Sequence, residues 1–259
     1  LHIFVNAGAM AHFSTGDLKA PLVGLDMSSS EQIHPPGFGF VVESGIFKKI
    51  AESEEILDEF NHISNIHDFE GRAITPGFVD AHTHLLWDGD RSNEIRMRQQ
   101  GMSYAEIADA GGGIRHTVSQ TRCSENLHRI GIQRREISMA HGTTALEVKS
   151  GYGLDTESEL RLLQVYDDMQ TERQHPQLYP TWMGAHDIPH GTKRELYVEQ
   201  ILSEQLPAIL DQGIATSADV FCEPGWFTIE DTEEICQAAS QGGLSIRLHV
   251  DEFTDGGGL

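Results

Sequence analysis

From Phe78 onward, short apolar runs rich in β-branched residues alternate with longer stretches of helical periodicity. Such alternation is typical of repeated βα units, in which crossover helices join parallel strands. Both a doubly wound sheet and a (β/α)8 barrel satisfy this pattern, which does not choose between them. Five runs predict strands, at about residues 78–84, 143–149, 178–186, 218–223 and 244–250.

Two segments between these strands predict helices. In ESELRLLQVYDDM, Leu162 and Tyr166 fall on one helical face, and Thr156 with Glu159 fits a capping box. In RELYVEQILSEQLPAIL, apolar residues recur at helical spacing. Pro207 is expected to kink this second helix or to begin a fresh turn, because proline lacks the backbone N–H that a helix interior needs.

The first 75 residues follow a different pattern. Within FGFVVESGIFKKI, two apolar or alternating runs meet at Glu43-Ser44-Gly45, which predicts a β-hairpin. Thr75-Pro76-Gly77 then separates this region from the βα pattern. We therefore expect a small β-rich domain over residues 1–75, incomplete in this chain, followed by a βα domain over residues 76–259.

Composition excludes several classes of protein. The 18 Lys and Arg residues against 40 Asp and Glu residues give a formal net charge of −22, which disfavours nucleic acid as a partner. The sequence contains no apolar run of the roughly 18 to 20 residues that a membrane span needs. Cys123, Cys222 and Cys236 are widely separated, so they suggest neither a disulfide framework nor a cysteine zinc site. A reducing, cytoplasmic setting fits this cysteine content.

Two histidines close the first predicted strand of the βα region, PGFVDAHTHL. His82 and His84 are two residues apart, so their imidazoles project from the same face of the strand. His249 lies near the end of the fifth strand, with Glu252 just beyond it as a candidate general base. Histidines that satisfy an ordinary polar patch are the alternative. The position of the pair at the end of an apolar strand favours a metal site, since imidazole suits zinc and iron alike.

At this point the motifs carry a family resemblance. PGFVDAHTHL behind a small β domain resembles the amidohydrolase superfamily of metal-dependent hydrolases. Further segments make the resemblance specific to the imidazolonepropionase family of histidine degradation: in order, GDRSNE, MSYAEIADAGGGI, AHGTTALEVKSGYGL, PTWMGAH, ADVFCE and LHVDEF. It implies an incomplete metal-dependent TIM barrel, with five of eight βα units, behind a small N-terminal β-sandwich-like domain. The implied reaction is hydrolysis of the cyclic amide of 4-imidazolone-5-propionate to N-formimino-L-glutamate.

The resemblance also implies roles for individual residues. His82, His84 and His249 match the metal ligands, and one ion, zinc or iron, is expected because the ADVFCE strand lacks the lysine that bridges two metals in related proteins. Glu252 and His186 match catalytic positions. The positions that match substrate contacts are Arg91, Tyr104, Tyr152, His186 and Glu252. Arg91 suits the propionate group, because a guanidinium can bind a carboxylate bidentately.

Several alternatives and expectations accompany this interpretation. A deaminase or cyclic amidase of the same superfamily, and a noncatalytic assembly protein on the same scaffold, remain open. The resemblance suggests a homodimer acting on a small molecule. It also implies a histidine from a sixth strand and an aspartate from an eighth, so we expect this chain to be part of a longer protein and to be inactive alone. Lys149 and Glu147 share one strand face and predict an internal ion pair.

Overall fold

The computed structural model describes residues 1–12, 23–28, 32–103, 106–107, 110–172 and 175–258. The chain divides into two compact units, Leu1–Gly77 and Phe78–Leu259. Every helix within the described ranges falls short of the length and apolar character that crossing a membrane requires.

The first unit is built on a mixed four-stranded sheet. Its strands and those of a separate two-stranded sheet are β1 (His2–Val5), β2 (Met10–Ala11), β3 (Ile33–His34), β4 (Phe38–Glu43), β5 (Ile46–Glu52) and β6 (Ile66–Asp68). The larger sheet has the order β5-β4-β1-β6, and β2 pairs with β3. Helix α1 (Ser53–Glu59) covers one face, where Ile3, Val41 and Ile56 are fully buried.

The predicted hairpin is confirmed in this unit. Strands β4 and β5 pair antiparallel, and the turn between them consists of Ser44 and Gly45. Both turn residues have positive φ, 51° and 79°, as a two-residue type I′ turn requires. Since the described residues form one four-stranded and one two-stranded sheet, the sandwich-like arrangement of the first domain stays a prediction.

The second unit contains a curled, all-parallel sheet of five strands. They are β7 (Phe78–Thr83), β8 (Thr143–Lys149), β9 (Gln177–Ala185), β10 (Ser217–Cys222) and β11 (Ser245–Val250). All five predicted strands are confirmed, with ends that differ by at most one residue. The order β11-β10-β9-β8-β7 places consecutive strands side by side. A doubly wound sheet would reverse its order at a switch point, so this sheet is an arc of barrel type.

Helices follow the strands and cover the outer face of the sheet. They are α2 (Asn93–Gln99), α3 (Gly113–Cys123), α4 (Leu127–Ala140), α5 (Thr156–Glu172), α6 (Arg194–Gln200), α7 (Leu206–Gln212) and α8 (Ile229–Gln241). A π-helical turn over Ile201–Gln205 joins α6 to α7. Pro207 lies in the first turn of α7, directly after this π-helical turn. The expectation that this proline begins a new turn is confirmed.

The two faces of the parallel sheet differ sharply in polarity, because successive side chains of a strand point to opposite faces. The face covered by helices carries the buried apolar residues Leu146, Val148, Trp182, Ala218 and Val220. The opposite face carries Glu147, Lys149, Thr181, Asp219 and His249. Polar side chains on that inner face provide the groups from which a site at the carboxyl ends of the strands can be built.

The capping box predicted at the start of α5 is wrong. The Asp155 carboxylate, rather than the Thr156 hydroxyl, accepts a hydrogen bond from the backbone N–H of Ser158 at 2.7 Å. Thr156 instead donates to the carboxylate of Glu204 at 2.6 Å. The Glu159 carboxylate instead lies towards the preceding loop, where it accepts hydrogen bonds from the backbone N–H groups of Gly153 and Leu154.

Candidate active site

Three imidazoles converge at the carboxyl ends of the first and last strands of the parallel sheet. Strand β7 carries His82, and His84 directly follows the end of this strand. Strand β11 carries His249. Each ring offers one nitrogen to a cluster in which all these atoms lie within 4.8 Å of one another. The Nε2 atoms of His82 and His249 are 3.1 Å apart. The structure thus brings together all three residues that the sequence analysis assigned to a metal.

Hydrogen bonds indicate which nitrogens of this cluster are available to a cation. The Nδ1 atom of His249 lies 2.9 Å from Oδ1 of Asp219. Burial by itself would raise the pKa of Asp219, but the hydrogen bond from His249 and the nearby charges outweigh it and lower that pKa. An ionised carboxylate only accepts, so Nδ1 of His249 donates, and Nε2 is the nitrogen that faces His82 in the cluster.

The remaining rings also have the properties of metal ligands. Nδ1 of His84 is buried and lacks a hydrogen-bond partner in the part of the chain that the structure describes. Burial and the neighbouring His186 and His249 lower the pKa of His84 to about 2, and burial and His249 lower that of His82. Neutral imidazole is the form that binds a metal, so the state of His82 and His84 fits a histidine cluster that could hold a metal ion.

Two aromatic side chains extend the cluster. His186 follows β9, and its ring stacks on that of His84 with 5.0 Å between centroids. The Tyr152 ring stands edge-on to both, 5.4 Å from the His186 centroid and 5.7 Å from that of His84. Nδ1 of His186 lies 2.8 Å from the carbonyl oxygen of Gly151, which can only accept, so this nitrogen donates. Burial lowers the pKa of His186 to about 4.

The loop that carries Tyr152 is built around the buried carboxylate of Glu159. Backbone N–H groups of Gly151, Gly153 and Leu154 donate to it at 3.0, 2.7 and 3.0 Å. A Cβ atom at Gly153 would lie only 2.6 Å from Oε1 of Glu159, so this position requires glycine. Burial raises the pKa of Glu159, although these hydrogen bonds act in the opposite direction. The role of Glu159 in holding this loop was not predicted from the sequence. The pattern that could have indicated it is a glycine-rich loop directly before a helix with acidic residues in its first turn.

Arg91 is held in place by a second buried carboxylate. Its Nε and Nη2 atoms donate to the two oxygens of Glu94 at 2.7 and 2.9 Å. Glu94 also accepts the backbone N–H of Gly113 at 2.7 Å, which ties the glycine run 111–113 to the same group. The hydrogen bond from Arg91 lowers the pKa of Glu94. This clamp fixes the guanidinium plane, and it too was missed from the sequence.

A cavity of about 250 Å³ adjoins the histidine cluster. It is lined by Arg91, Arg98, Ile114, Tyr152, His186, Phe221, Trp226, His249, Glu252 and Phe253. Four residues assigned to substrate contacts, Arg91, Tyr152, His186 and Glu252, therefore meet in one pocket. Tyr104, the fifth, lies outside the described residues.

Glu252 reaches this pocket from the segment that follows β11. The buried carboxylate of Glu223 holds that segment by accepting backbone N–H groups from Glu252 and Phe253 and the hydroxyl of Thr254. Glu252 itself is exposed.

The interpretation of Cys222 as a small buried hydrophobe is confirmed, since only 8% of it is exposed.

The predicted ion pair between Lys149 and Glu147 is also confirmed. Nζ of Lys149 lies 2.8 Å from Oε1 of Glu147 and, in addition, 2.7 Å from Oδ2 of Asp219. Asp219 was missed from the sequence, where the signal is a single acidic residue inside the apolar strand ADVFC. The three side chains are at most 3% exposed, which makes them a buried charged group next to the histidines.

Comparison with solved structures identifies the class of fold. The structure of 5-methylcytosine deaminase from Klebsiella pneumoniae with 5-fluorocytosine matches with a TM-score of 0.58 and 16% sequence identity, covering 96% of this chain and 51% of that one. Its complex with phosphonocytosine matches with a TM-score of 0.56. The fold of this chain is thus similar to that of about half of this deaminase.

Sequence comparison is more specific. The imidazolonepropionase of Shewanella frigidimarina is 40% identical over 86% of this chain and 55% of its own length. That of Haloarcula marismortui is 40% identical over 84% of this chain and 52% of its own length, and that of Symbiobacterium thermophilum 38% over 99% and 60%. No family model matches. The chain spans between about half and three fifths of the length of these relatives, and the predicted resemblance to imidazolonepropionases is confirmed.

Proposed function

We propose that the protein containing this chain is a metal-dependent hydrolase that opens the ring of 4-imidazolone-5-propionate and releases N-formimino-L-glutamate. The observation that carries this proposal is a cluster of three histidines, one of which, His249, lines a pocket together with the side chains expected to bind the substrate. Identities of 38–40% to imidazolonepropionases support the same reaction.

His82, His84 and His249 hold one zinc or iron ion in this proposal. Such an ion would supply Lewis acidity for the attack of water on the ring carbonyl. The hydrogen bond to Asp219 keeps His249 in the tautomer whose Nε2 faces the cluster. Burial keeps the rings of His84 and His186 neutral at physiological pH.

The other pocket residues bind the substrate and move protons. In the overall reaction, the oxygen of water bonds to the ring carbonyl carbon, the adjacent C–N bond breaks, and the departing nitrogen gains a proton. Glu252 accepts the proton of water on a carboxylate oxygen and returns it to that nitrogen. Nδ1 of His186 donates to Gly151, so its Nε2 accepts a hydrogen bond from a ring N–H. Tyr104 is a further substrate contact on the sequence resemblance alone.

Arg91 and Tyr152 bind the propionate end of the substrate. The net charge of −22 opposes the capture of an anion, so a local cation has to offset it. Glu94 already engages two nitrogens of Arg91, which fixes the orientation of the guanidinium before substrate arrives. The proposal also includes a small-molecule substrate, a cytoplasmic setting and a homodimer. The free cysteines suggest the setting, and the resemblance suggests the homodimer.

The test is an assay of the full natural gene product with 4-imidazolone-5-propionate. We expect ring opening to N-formimino-L-glutamate, one metal ion per chain, and no ammonia released from purines or from 5-methylcytosine. Ammonia release without ring opening would instead support a deaminase. Absence of both stoichiometric metal and turnover would support a noncatalytic protein on the same scaffold.

Replacing Arg91 with lysine should raise the KM for the substrate by about 10-fold to 100-fold, because a bidentate charge-assisted contact is worth roughly 1.5–3 kcal/mol. Metal content should not change, since Arg91 does not belong to the histidine cluster. Steady-state kinetics and metal analysis of the purified enzyme measure both quantities.

Arg96→Lys is the matched control for this substitution, since Arg96 is exposed on α2, the helix that begins two residues after Arg91. A substrate analogue that lacks the carboxylate should be converted equally by the Arg91→Lys and unmodified enzymes. An unchanged KM for the intact substrate in the Arg91→Lys enzyme would exclude a carboxylate contact.

A further inference from the structure

The buried charged group beside the histidines connects strands that are not neighbours. Lys149 ends β8, whereas Asp219 lies on β10, with Thr181 of β9 between them. The Lys149 ammonium donates to Asp219 at 2.7 Å and to Glu147 at 2.8 Å. Lys149 therefore bridges two carboxylates across the inner face of the sheet.

Each of these carboxylates also contacts one of the two chain segments that carry the histidine cluster. We call these segments, residues 82–84 and His249, the two histidine arms. Oε2 of Glu147 accepts the backbone N–H of Thr83, the residue between His82 and His84, at 3.2 Å. The Thr83 hydroxyl also donates to the backbone carbonyl of Glu147 at 2.6 Å. Oδ1 of Asp219 accepts from Nδ1 of His249 at 2.9 Å. One chain of hydrogen bonds thus runs from the His82–His84 segment through Lys149 to His249.

We propose that Lys149 is a positioning residue, which through Glu147 and Asp219 holds the two histidine arms at the separation that a single metal ion requires. The inference rests on the proposed metal site, and Lys149 is not itself a ligand in it. Its ammonium donates hydrogen bonds to the two carboxylates, and these in turn contact the histidine segments.

The physical chemistry of burial supports this role. A buried ion group of this kind adds little stability compared with apolar residues of similar volume, so its presence calls for a different explanation. When every member is paired, such a network restricts the orientation of its side chains. Arg247 also lies against this group, with its Nε 3.7 Å from Oε1 of Glu147, so two cations face the two carboxylates beside the imidazoles. Carboxylates that accept the second N–H of a ligand histidine set its tautomer and ring orientation.

The proposal predicts a loss of metal affinity upon two separate substitutions. In the full natural gene product, Lys149→Met and Asp219→Asn should each weaken zinc binding by about 10-fold to 100-fold, the range typical of outer partners of metal ligands. Competition of zinc with a chromophoric chelator measures the dissociation constant without any activity assay. Lys193→Met, at an exposed lysine of the same unit, should leave this constant unchanged.

A second readout separates positioning from general stabilisation. In the metal-free protein, nitrogen-15 NMR of the histidine side chains should show His249 protonated at Nδ1, and Asp219→Asn should reduce this tautomer preference. Circular dichroism establishes whether each variant is folded. Should Lys149→Met fail to fold, Lys149→Gln takes its place in the zinc competition, because its amide can still donate a hydrogen bond but cannot supply the charge that bridges both carboxylates.

Zinc affinity and the His249 tautomer both unchanged in folded Asp219→Asn would overturn the proposal. Affinity unchanged in folded Lys149→Met, with Asp219→Asn impaired, would also overturn it, because Asp219 would then act without Lys149. Failure of the metal site itself has a different signature: His82→Ala would bind zinc as tightly as the unmodified protein.

Discussion

The His249→Ala protein is expected to lose stoichiometric zinc binding and, with it, all measurable ring opening. Two of the three imidazoles, His82 and His84, come from one strand segment, and only His249 reaches the cluster from the far edge of the sheet. Its removal leaves the remaining pair without a donor on the opposite side. It also removes the N–H group that donates a hydrogen bond to the buried carboxylate of Asp219. The loss of affinity should therefore exceed the roughly 10-fold to 100-fold change typical of outer partners.

Metal analysis and chelator competition on the purified natural protein measure this effect. His190→Ala is a suitable control, because His190 is exposed and lies outside the histidine cluster. Circular dichroism of the variants establishes that the fold is retained. If His249→Ala kept full zinc content and turnover, the assignment of this residue as a ligand would be wrong, and the hydrolase proposal would lose its main support.

The Glu159→Ala protein is expected to lose about 2–4 kcal/mol of unfolding free energy and most of its activity. Three buried N–H groups, those of Gly151, Gly153 and Leu154, would lose their common acceptor, at roughly 1–3 kcal/mol for each one that water does not reach. The same loop carries Tyr152 and supplies the carbonyl that accepts from His186. Its disorder should therefore reduce substrate binding as well as stability.

Glu159→Gln distinguishes the hydrogen bonds of this carboxyl group from its charge. The amide keeps one acceptor oxygen, so the loss of stability should be smaller than in Glu159→Ala. Because the folded-state pKa of Glu159 is raised, the folded protein holds this proton to a higher pH than the unfolded chain does. The contribution of this group thus favours folding at acidic pH and weakens as pH rises through the folded-state pKa. Glu159→Gln should remove that part of the pH dependence.

Urea unfolding across a pH series measures both effects, and amide hydrogen exchange of residues 151–154 reports on the loop directly. Glu157→Ala is the matched control, since Glu157 is exposed on the same helix. Unchanged exchange in the loop of Glu159→Ala would show that other contacts hold the loop.

Much of the fold was predictable because it depends on local patterns. The β-branched runs of the second unit identified its five strands, and Ser44-Gly45 identified the hairpin turn of the first. The error at the start of α5 has the same origin, since Thr156 and Glu159 satisfy the spacing of a capping box. Nothing local shows that Glu159 has better partners in the loop before the helix.

The candidate site divides in the same way. The histidines and pocket residues stand at the ends of strands or within recognisable motifs, so their positions were accessible from the sequence. The carboxylates that hold them were not: Glu94, Glu147, Asp219 and Glu223 each contact a partner through hydrogen bonds that depend on three-dimensional placement. Of these, the sequence analysis anticipated only the pairing of Glu147 with Lys149.

By itself, the sequence determined the order of the βα units, the segments that form strands and the likeness to imidazolonepropionases. The reason is that strand periodicity and motif identity are properties of neighbouring residues. Strand periodicity left open whether the sheet is doubly wound or part of a barrel, and the family resemblance implied the barrel and the shared histidine site; the tertiary structure confirmed an arc of consecutive parallel strands across which His249 meets His82. It alone linked Lys149 to Asp219, 70 residues further along the chain. The physical reason is that these contacts depend on the curvature and register of the sheet, which bring together residues that no local pattern relates.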